Sequence, residues 1–222
     1  DPLAPVTVIV PSNYSGLSVR RSLAAGTPLV NVRFQVLARL AELLGAPQLV
    51  AEGRRPLTPW IGVMGVRAAL AEAPGVFADV AGHPSTAREL HRTFRELREA
   101  SDSALDRVAS STARSFDVVR LYRRFRELTR AYFDEFDLLD EAATHFRENS
   151  ATAKEAGALI LYLPRKLSPS AARLFAAAGE NRAHAVLGLT GDPEVDAEVK
   201  SMAERLPGDS RQVLNASMVR KI

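Results

Sequence analysis

The sequence predicts an α/β fold: a parallel sheet with helices on both faces, interrupted by an all-helical insertion. Three observations carry this. The first 45 residues alternate strand, helix, strand, helix with short connections, which is the rhythm of a parallel, helix-covered sheet. From Pro56 to about Ser150 no convincing strand occurs, and sheet rhythm returns at Ala158–Leu163. The expected divisions are 1–55 for the first part of the α/β core, 56–150 for the helical subdomain and 151–222 for the second part of the core.

Val6–Val10 is a β-branched apolar run between Pro5 and Pro11, as expected of a buried strand. Ser12-Asn13 supplies N-cap chemistry for a helix over Tyr14–Ala25, stopped by Gly26. Val30, Val32 and Phe34 alternate with Asn31 and Arg33 in a second strand, which enters a helix over Gln35–Leu44 closed by Gly45. Helices are predicted over Trp60–Glu72, Ser85–Ala100, Ser103–Ala109, Phe116–Tyr132 and Phe136–Glu148. In the fourth, Val118, Leu121, Tyr122, Phe125, Leu128 and Tyr132 form one apolar stripe. After the strand at Ala158–Leu163, Ser168-Pro169 is an N-cap followed by proline at the first helical position, opening a helix to Ala178 that Gly179 ends. A buried strand over Ala183–Leu189, a helix over Glu194–Leu206 and a strand at Gln212–Asn215 complete the reading.

Composition excludes more than it selects. Of 222 residues, 46% are hydrophobic and 25% charged, an ordinary globular balance, and no apolar run approaches the roughly 20 residues that span a bilayer. Zero cysteines rule out disulfides and thiol catalysis and fit a reducing cytoplasm. The net charge is only +3, with lysine confined to Lys154, Lys166, Lys200 and Lys221 and arginine supplying the rest. Arginine forks suit phosphate, but a GC-rich codon bias explains the preference more plainly. Both ends read as cuts in a longer protein.

Ligands of open α/β sheets bind beyond the carboxyl ends of the strands. Three strand tips therefore stand out: Pro11-Ser12-Asn13, Pro164-Arg165-Lys166 and Thr190-Gly191-Asp192-Pro193. Their order around a helical insertion resembles the N-terminal motor domain of superfamily 1 helicases, in particular the RecB-like and AddB-like helicase–nucleases. Val8–Asn13 and the helix with Arg20-Arg21 look like that family's segment after the phosphate-binding helix, and Asn31–Leu40 like its next DNA-contacting motif. Phe133-Asp134-Glu135-Phe136-Asp137-Leu138-Leu139 resembles the acidic start of the helix before the magnesium strand, and Gly188–Pro193 the motif after the next strand. The resemblance implies a P-loop-NTPase/helicase-like sheet and backbone contacts to DNA from Ser12, Asn13, Arg20 and Arg21.

The departures carry as much information. No G-x-x-x-x-G-K-[ST] loop occurs. Where the family holds the Asp-Glu pair that binds magnesium and orients water, this chain has Pro164-Arg165, and cations there repel magnesium. Gly191-Asp192-Pro193 lacks the glutamine expected after it. Pro164, Arg165, Gly191 and Asp192 thus mark a degenerate nucleotide and metal site, with no metal and no cofactor expected.

The remaining candidates weigh toward ordinary structure. Asp192, Glu194 and Asp196 have spacing for a metal turn, but carboxylates at a helix N-terminus explain them more simply. Glu198-Val199-Lys200 lies in a predicted helix without the hairpin a nuclease site needs. His83, His91, His145 and His184 form no ligand pair. Arg88, Arg92 and Arg95 share one helix face, and Arg120, Arg123, Arg124, Arg126 and Arg130 crowd another. They read either as a wall along a nucleic-acid path or, more plainly, as solvated faces paired with interleaved glutamates. Phe34, Tyr14 and Trp60 are candidate base-stacking rings, Phe34 alternating inward.

The expected function is therefore non-catalytic: a helicase-like domain of a RecB/AddB-type DNA repair and recombination nuclease, cytoplasmic, binding single-stranded DNA or duplex ends, or scaffolding a helicase or nuclease partner subunit. An ATP-dependent motor domain whose phosphate loop lies outside this sequence is the first alternative. A small-molecule enzyme on a Rossmann-like sheet is the second; it needs a glycine-rich first turn, where only Gly16 is present.

Overall fold

The computed structural model describes residues 3–206 apart from Thr27, Glu180 and Asn181, so the strand expected at Gln212–Asn215 and both chain ends lie outside the described residues. In chain order the elements are β1 (Val6–Ile9), α1 (Asn13–Ala24), β2 (Val32–Gln35), α2 (Leu37–Ala51), β3 (Arg55–Pro56), α3 (Pro59–Glu72), a 3-10 helix (Gly75–Val80), α4 (Pro84–Leu97), α5 (Asp102–Ala109), α6 (Ala113–Leu128), β4 (Tyr132–Phe133), α7 (Glu135–Arg147), α8 (Ala151–Ala156), β5 (Ala158–Tyr162), α9 (Pro169–Ala178), β6 (Ala183–Val186) and α10 (Pro193–Glu204). Contacts divide the chain into an α/β unit of Asp1–Ala46 with Leu138–Ile222, and a helical unit of Pro47–Asp137. No helix among the described residues is long and apolar enough to cross a membrane.

The α/β unit holds a four-stranded, wholly parallel sheet in the order β2-β1-β5-β6. In register, Ile9 stands beside Leu161 and Thr7 beside Leu159, so these four share a face. That face carries the main core, in which Ile9, Leu159 and Leu161 join Leu40 and Leu44 of α2, Phe146 of α7, and Leu174 and Phe175 of α9. The opposite face takes α1, where a Cβ on Gly16 would lie 3.2 Å from Val10 and 3.4 Å from Phe34. Helices thus flank both faces.

The join between β1 and β5 is drawn tight by three contacts. The Thr7 hydroxyl donates to the carbonyl of Ala156 at 2.7 Å, which satisfies a polar group that is otherwise buried. Ala158 N–H donates to the carbonyl of Pro5 at 3.0 Å. Between them Gly157 adopts φ +68, ψ −143, with its Cα turned onto the Pro5 carbonyl.

Several predicted boundaries need correction. Gly45 does not close α2, which continues through Pro47 to Ala51. Glycine is needed there for approach: a Cβ would sit 2.6 Å from the carbonyl of Leu138 on α7. The stop is Gly53, at φ +79, with Arg54 N–H donating back to Leu49 in a Schellman-type closure. The strand predicted over Ala183–Leu189 is β6, ends at Val186 and is mostly exposed, because it is the last described strand of the sheet. The stretch read as free of strands holds β3 and β4, paired in parallel over two residues each, too short to leave a period in the sequence. The 3-10 helix and α8 add to the elements that the sequence predicts.

The helical unit packs α3, α4 and α6 around Val66, Leu70, Leu90, Phe94, Leu121, Tyr122 and Phe125, so the predicted stripe from Val118 to Leu128 is the core face of α6, whereas the helix predicted to Tyr132 ends at Leu128 and Tyr132 lies in β4. Phe94 meets Tyr122 and Phe125 ring to ring at centroid distances of 5.6 and 5.3 Å. Thr58, Ser101 and Thr112 cap α3, α5 and α6 through side-chain oxygens. His91 on α4 lies against Gly62 of α3, edge-on to Phe125.

Burial of that imidazole, reinforced by the charge of Arg95, holds its pKa below the ordinary 6.5. The unfolded chain therefore binds the proton more readily. The stabilising effect of the neutral ring is complete above the ordinary value and declines as pH falls below it. Stability of His91→Gln measured by urea melts should change less between pH 7.5 and 5.5 than that of the natural chain (about pH 6.5 being the crossover). Equal slopes for both proteins would remove His91 from the account.

Candidate nucleic-acid interface

The strand order reverses at β1. The chain leaves β1 for β2 on one side and, after the helical unit, returns as β5 on the other. The crevice beyond the carboxyl ends of β1 and β5 is a topological switch point, the usual ligand position in an open α/β sheet. Ser12-Asn13 and Pro164-Arg165-Lys166 follow those two adjacent strands.

At the β1 tip, Ser12 is the N-cap of α1, its hydroxyl accepting Ser15 N–H at 3.1 Å. Ser12 and Asn13 are exposed, and Tyr14 is 83% exposed. Arg20 and Arg21 are not at the tip: they lie toward the far end of α1, about 10 Å along the helix from Asn13 at 1.5 Å per residue, exposed and without an ion pair among the described residues. From Leu3 to Ala41 the sequence contains no acidic residue, so no carboxylate of this segment competes for these guanidiniums.

At the β5 tip, Leu163 has φ +44, a left-handed conformation that disfavours a bulky residue by about 1–2 kcal/mol, and the following proline disfavours it further. It is held there by its N–H donating to Val186 at 2.8 Å and by its side chain lying against Gly188. Arg165 and Lys166 emerge exposed from this turn, and the buried Leu167 and the Ser168 cap of α9 anchor its far side. A guanidinium and an ammonium there attract polyanions and disfavour a divalent cation. The sequence offers no signal for the Leu163 conformation, because it depends on a hydrogen bond that Leu163 donates to the neighbouring strand.

At the β6 tip the carboxylates are occupied with backbone. Asp196 accepts Thr190 N–H at 2.8 Å, the Thr190 hydroxyl at 3.0 Å and Gly191 N–H at 3.0 Å. The Thr190 N–H, with the other donors and Lys200, holds its carboxyl below the usual range against the opposing effect of burial. Asp192 accepts Glu194 N–H at 2.9 Å, and Gly191 takes φ +89. The helix N-terminus explanation of this trio stands, and no group of three metal-ligating side chains occurs among the described residues.

The acidic motif before β5 also has a structural occupation. Asp134 Oδ1 accepts the N–H groups of Phe136 and Asp137, and Asp137 Oδ2 accepts Asp134 N–H at 2.9 Å, a reciprocal cap on α7. The same carboxylates bind Arg98, Arg54 and Arg126. The two arginine-rich faces divide. On α6, Arg120 pairs with Asp117, Arg123 with Asp106, Arg124 with Glu72 and Glu127, and Arg126 with Asp134; Arg130 lies beyond the end of the helix and is unpaired among the described residues. On α4, Arg95 pairs with Glu135, while Arg88 and Arg92 are exposed and unpaired among the described residues. The paired-face explanation therefore accounts for most of α6. Phe34 is partly buried, leaving Tyr14 and Trp60 as the exposed rings.

Against known proteins, no family model matches the chain and no curated protein sequence matches it.

Proposed function

We propose that the α/β unit is a P-loop-NTPase/helicase-like domain without a working magnesium site. In this reading it belongs to a RecB/AddB-type DNA repair and recombination nuclease. It binds the phosphate backbone of single-stranded DNA or duplex ends along a path from the switch-point crevice down α1, or scaffolds a helicase or nuclease partner subunit. The observation that carries the reading is the pairing of an uncompensated basic helix, α1, with a β5 tip bearing Arg165 and Lys166 where a motor needs carboxylates. The insertion of a helical unit between β2 and β5, and the motif resemblance, support it. Ser12 and Asn13 supply neutral hydrogen-bonding groups at a helix N-terminus, and Arg20 and Arg21 supply charge, the mixture typical of backbone positioning.

Fluorescence anisotropy with labelled single- and double-stranded oligonucleotides at two salt concentrations tests this. Binding should weaken steeply with salt. The double variant Arg20→Ala, Arg21→Ala should lower the log–log salt slope by roughly 1.4–1.8, since each phosphate contact contributes about 0.7–0.9. Absence of affinity at low salt, or affinity indifferent to salt, sinks the proposal. Magnesium-dependent ATP hydrolysis by the chain alone would overturn its non-catalytic part.

A further inference from the structure

Apart from Arg67 and its last residue, Glu72, helix α3 carries only apolar residues, a composition ordinarily found in a helix that is covered on most sides. Here one side is covered. Gly62 meets His91 and Gly65 meets Phe125 and Thr129, with Val66 and Leu70 buried between. The opposite side is open. Trp60 is 72% exposed and Met64 44%, and Arg67, Ala68 and Ala71 continue the exposed stripe at helical spacing. Arg67 makes no ion pair among the described residues. Tryptophan, methionine and arginine are the residue types that concentrate in interface cores.

We propose that this stripe pairs with the same stripe of a second copy of the chain, helix antiparallel to helix, about a two-fold axis near Met64. The stripe tapers from Trp60 at its N-terminal end to Ala68 and Ala71 at its C-terminal end. An antiparallel pairing centred on Met64 sets each Trp60 over the other copy's Ala68, bulk against space, twice over. A parallel pairing sets Trp60 against Trp60 and leaves a gap between the alanines. The same antiparallel register brings each Arg67 opposite Ile61, beside the other copy's Trp60, where a guanidinium finds the face of an indole ring. The two Arg67 residues then lie about 9 Å apart along the axis, at 1.5 Å rise per residue, so like charges do not oppose. The stripe is five side chains on one helix face, narrower than the about 800 Å² per partner of a standard stable interface. The dimer is accordingly weak and concentration-dependent.

Trp60 is the only tryptophan in the chain, so its fluorescence reports this one contact. Sedimentation velocity over a concentration series reaching the high micromolar range should show the mean mass rising toward twice that of the chain. The emission of Trp60 should shift to the blue in step with it. Ala68→Glu places a carboxylate where the second copy's Trp60 packs, on an exposed position, and should abolish both changes while circular dichroism stays the same. A chain that remains monomeric throughout overturns the proposal. So does a dimer that forms without the emission shift or that survives Ala68→Glu, and so does a blue shift with no gain in mass, which would mean another partner or segment covers the stripe.

Discussion

Replacing Gly157 by alanine is expected to lower stability by about 3–5 kcal/mol, because the new methyl group meets backbone that cannot retreat. The residue sits at φ +68, ψ −143, a combination reserved for glycine, and its Cβ would be driven into the carbonyl of Pro5. That carbonyl cannot move freely, since it accepts Ala158 N–H at 3.0 Å and thereby starts the β1–β5 pairing. On the other side the Ala156 carbonyl accepts the buried Thr7 hydroxyl. Relief of the clash must therefore break one of these hydrogen bonds or part the two strands that form the switch point. Gly82→Ala is the control: nothing lies within 4 Å of its Cβ, so it should change stability by no more than about 0.5 kcal/mol. Equal denaturant midpoints for the two variants would show that the join is not as tight as described.

Replacing Arg98 by methionine should cost about 3–5 kcal/mol, the range for leaving buried charge without its partner. The Arg98 side chain is only 17% exposed, and it bridges Asp134 and Asp137, which are 18% and 12% exposed. Burial works to raise the pKa of Asp134, but the charge of Arg98, the Asp137 N–H and Arg126 outweigh it and hold the carboxyl below its ordinary value. The sign follows: the folded state favours the ionised form, so this contribution is present above the ordinary carboxylate pKa and is lost as pH falls through the acid range. Arg54 and Arg126 remain in the variant and keep the loss toward the lower end. Arg124→Met removes contacts to Glu72 and Glu127, but these groups are exposed and screened by water, so the loss should be far smaller than for Arg98→Met. Thermal melts of the two variants at pH 7 and pH 4 separate the cases; losses of similar size at pH 7 would contradict the burial argument.

The paired aspartates open α7 ahead of β5, as their motif predicts, but their partners are visible only in the structure. Read as letters, Asp134 and Asp137 resemble a motif beside a magnesium strand. In the structure their lone pairs are taken by helix N–H groups and guanidiniums, a use that depends on Arg98 and Arg54 arriving from distant parts of the chain. Gly45 makes the same point for the fold. Glycine after an apolar helix reads as a stop, yet it is a contact point for α7, and the stop lies at Gly53.

The elements themselves were largely legible. The β-branched run at Val6, the Ser12 and Ser168 caps and the proline at Pro169 act through their own backbone and nearest neighbours, and local chemistry is written locally. So was the basic character of Pro164-Arg165-Lys166, which needs no neighbour to be read. By itself the sequence thus determined the parallel α/β core, the helical insertion within it and a strand tip of the wrong charge for magnesium. Only the tertiary structure decided that β1 and β5 lie side by side, that Leu163 is held left-handed by Val186, that the arginines of α6 are mostly spent on carboxylates, and that one face of α3 is bare. Each of those depends on residues far apart in the chain, and no local pattern records the distance between them.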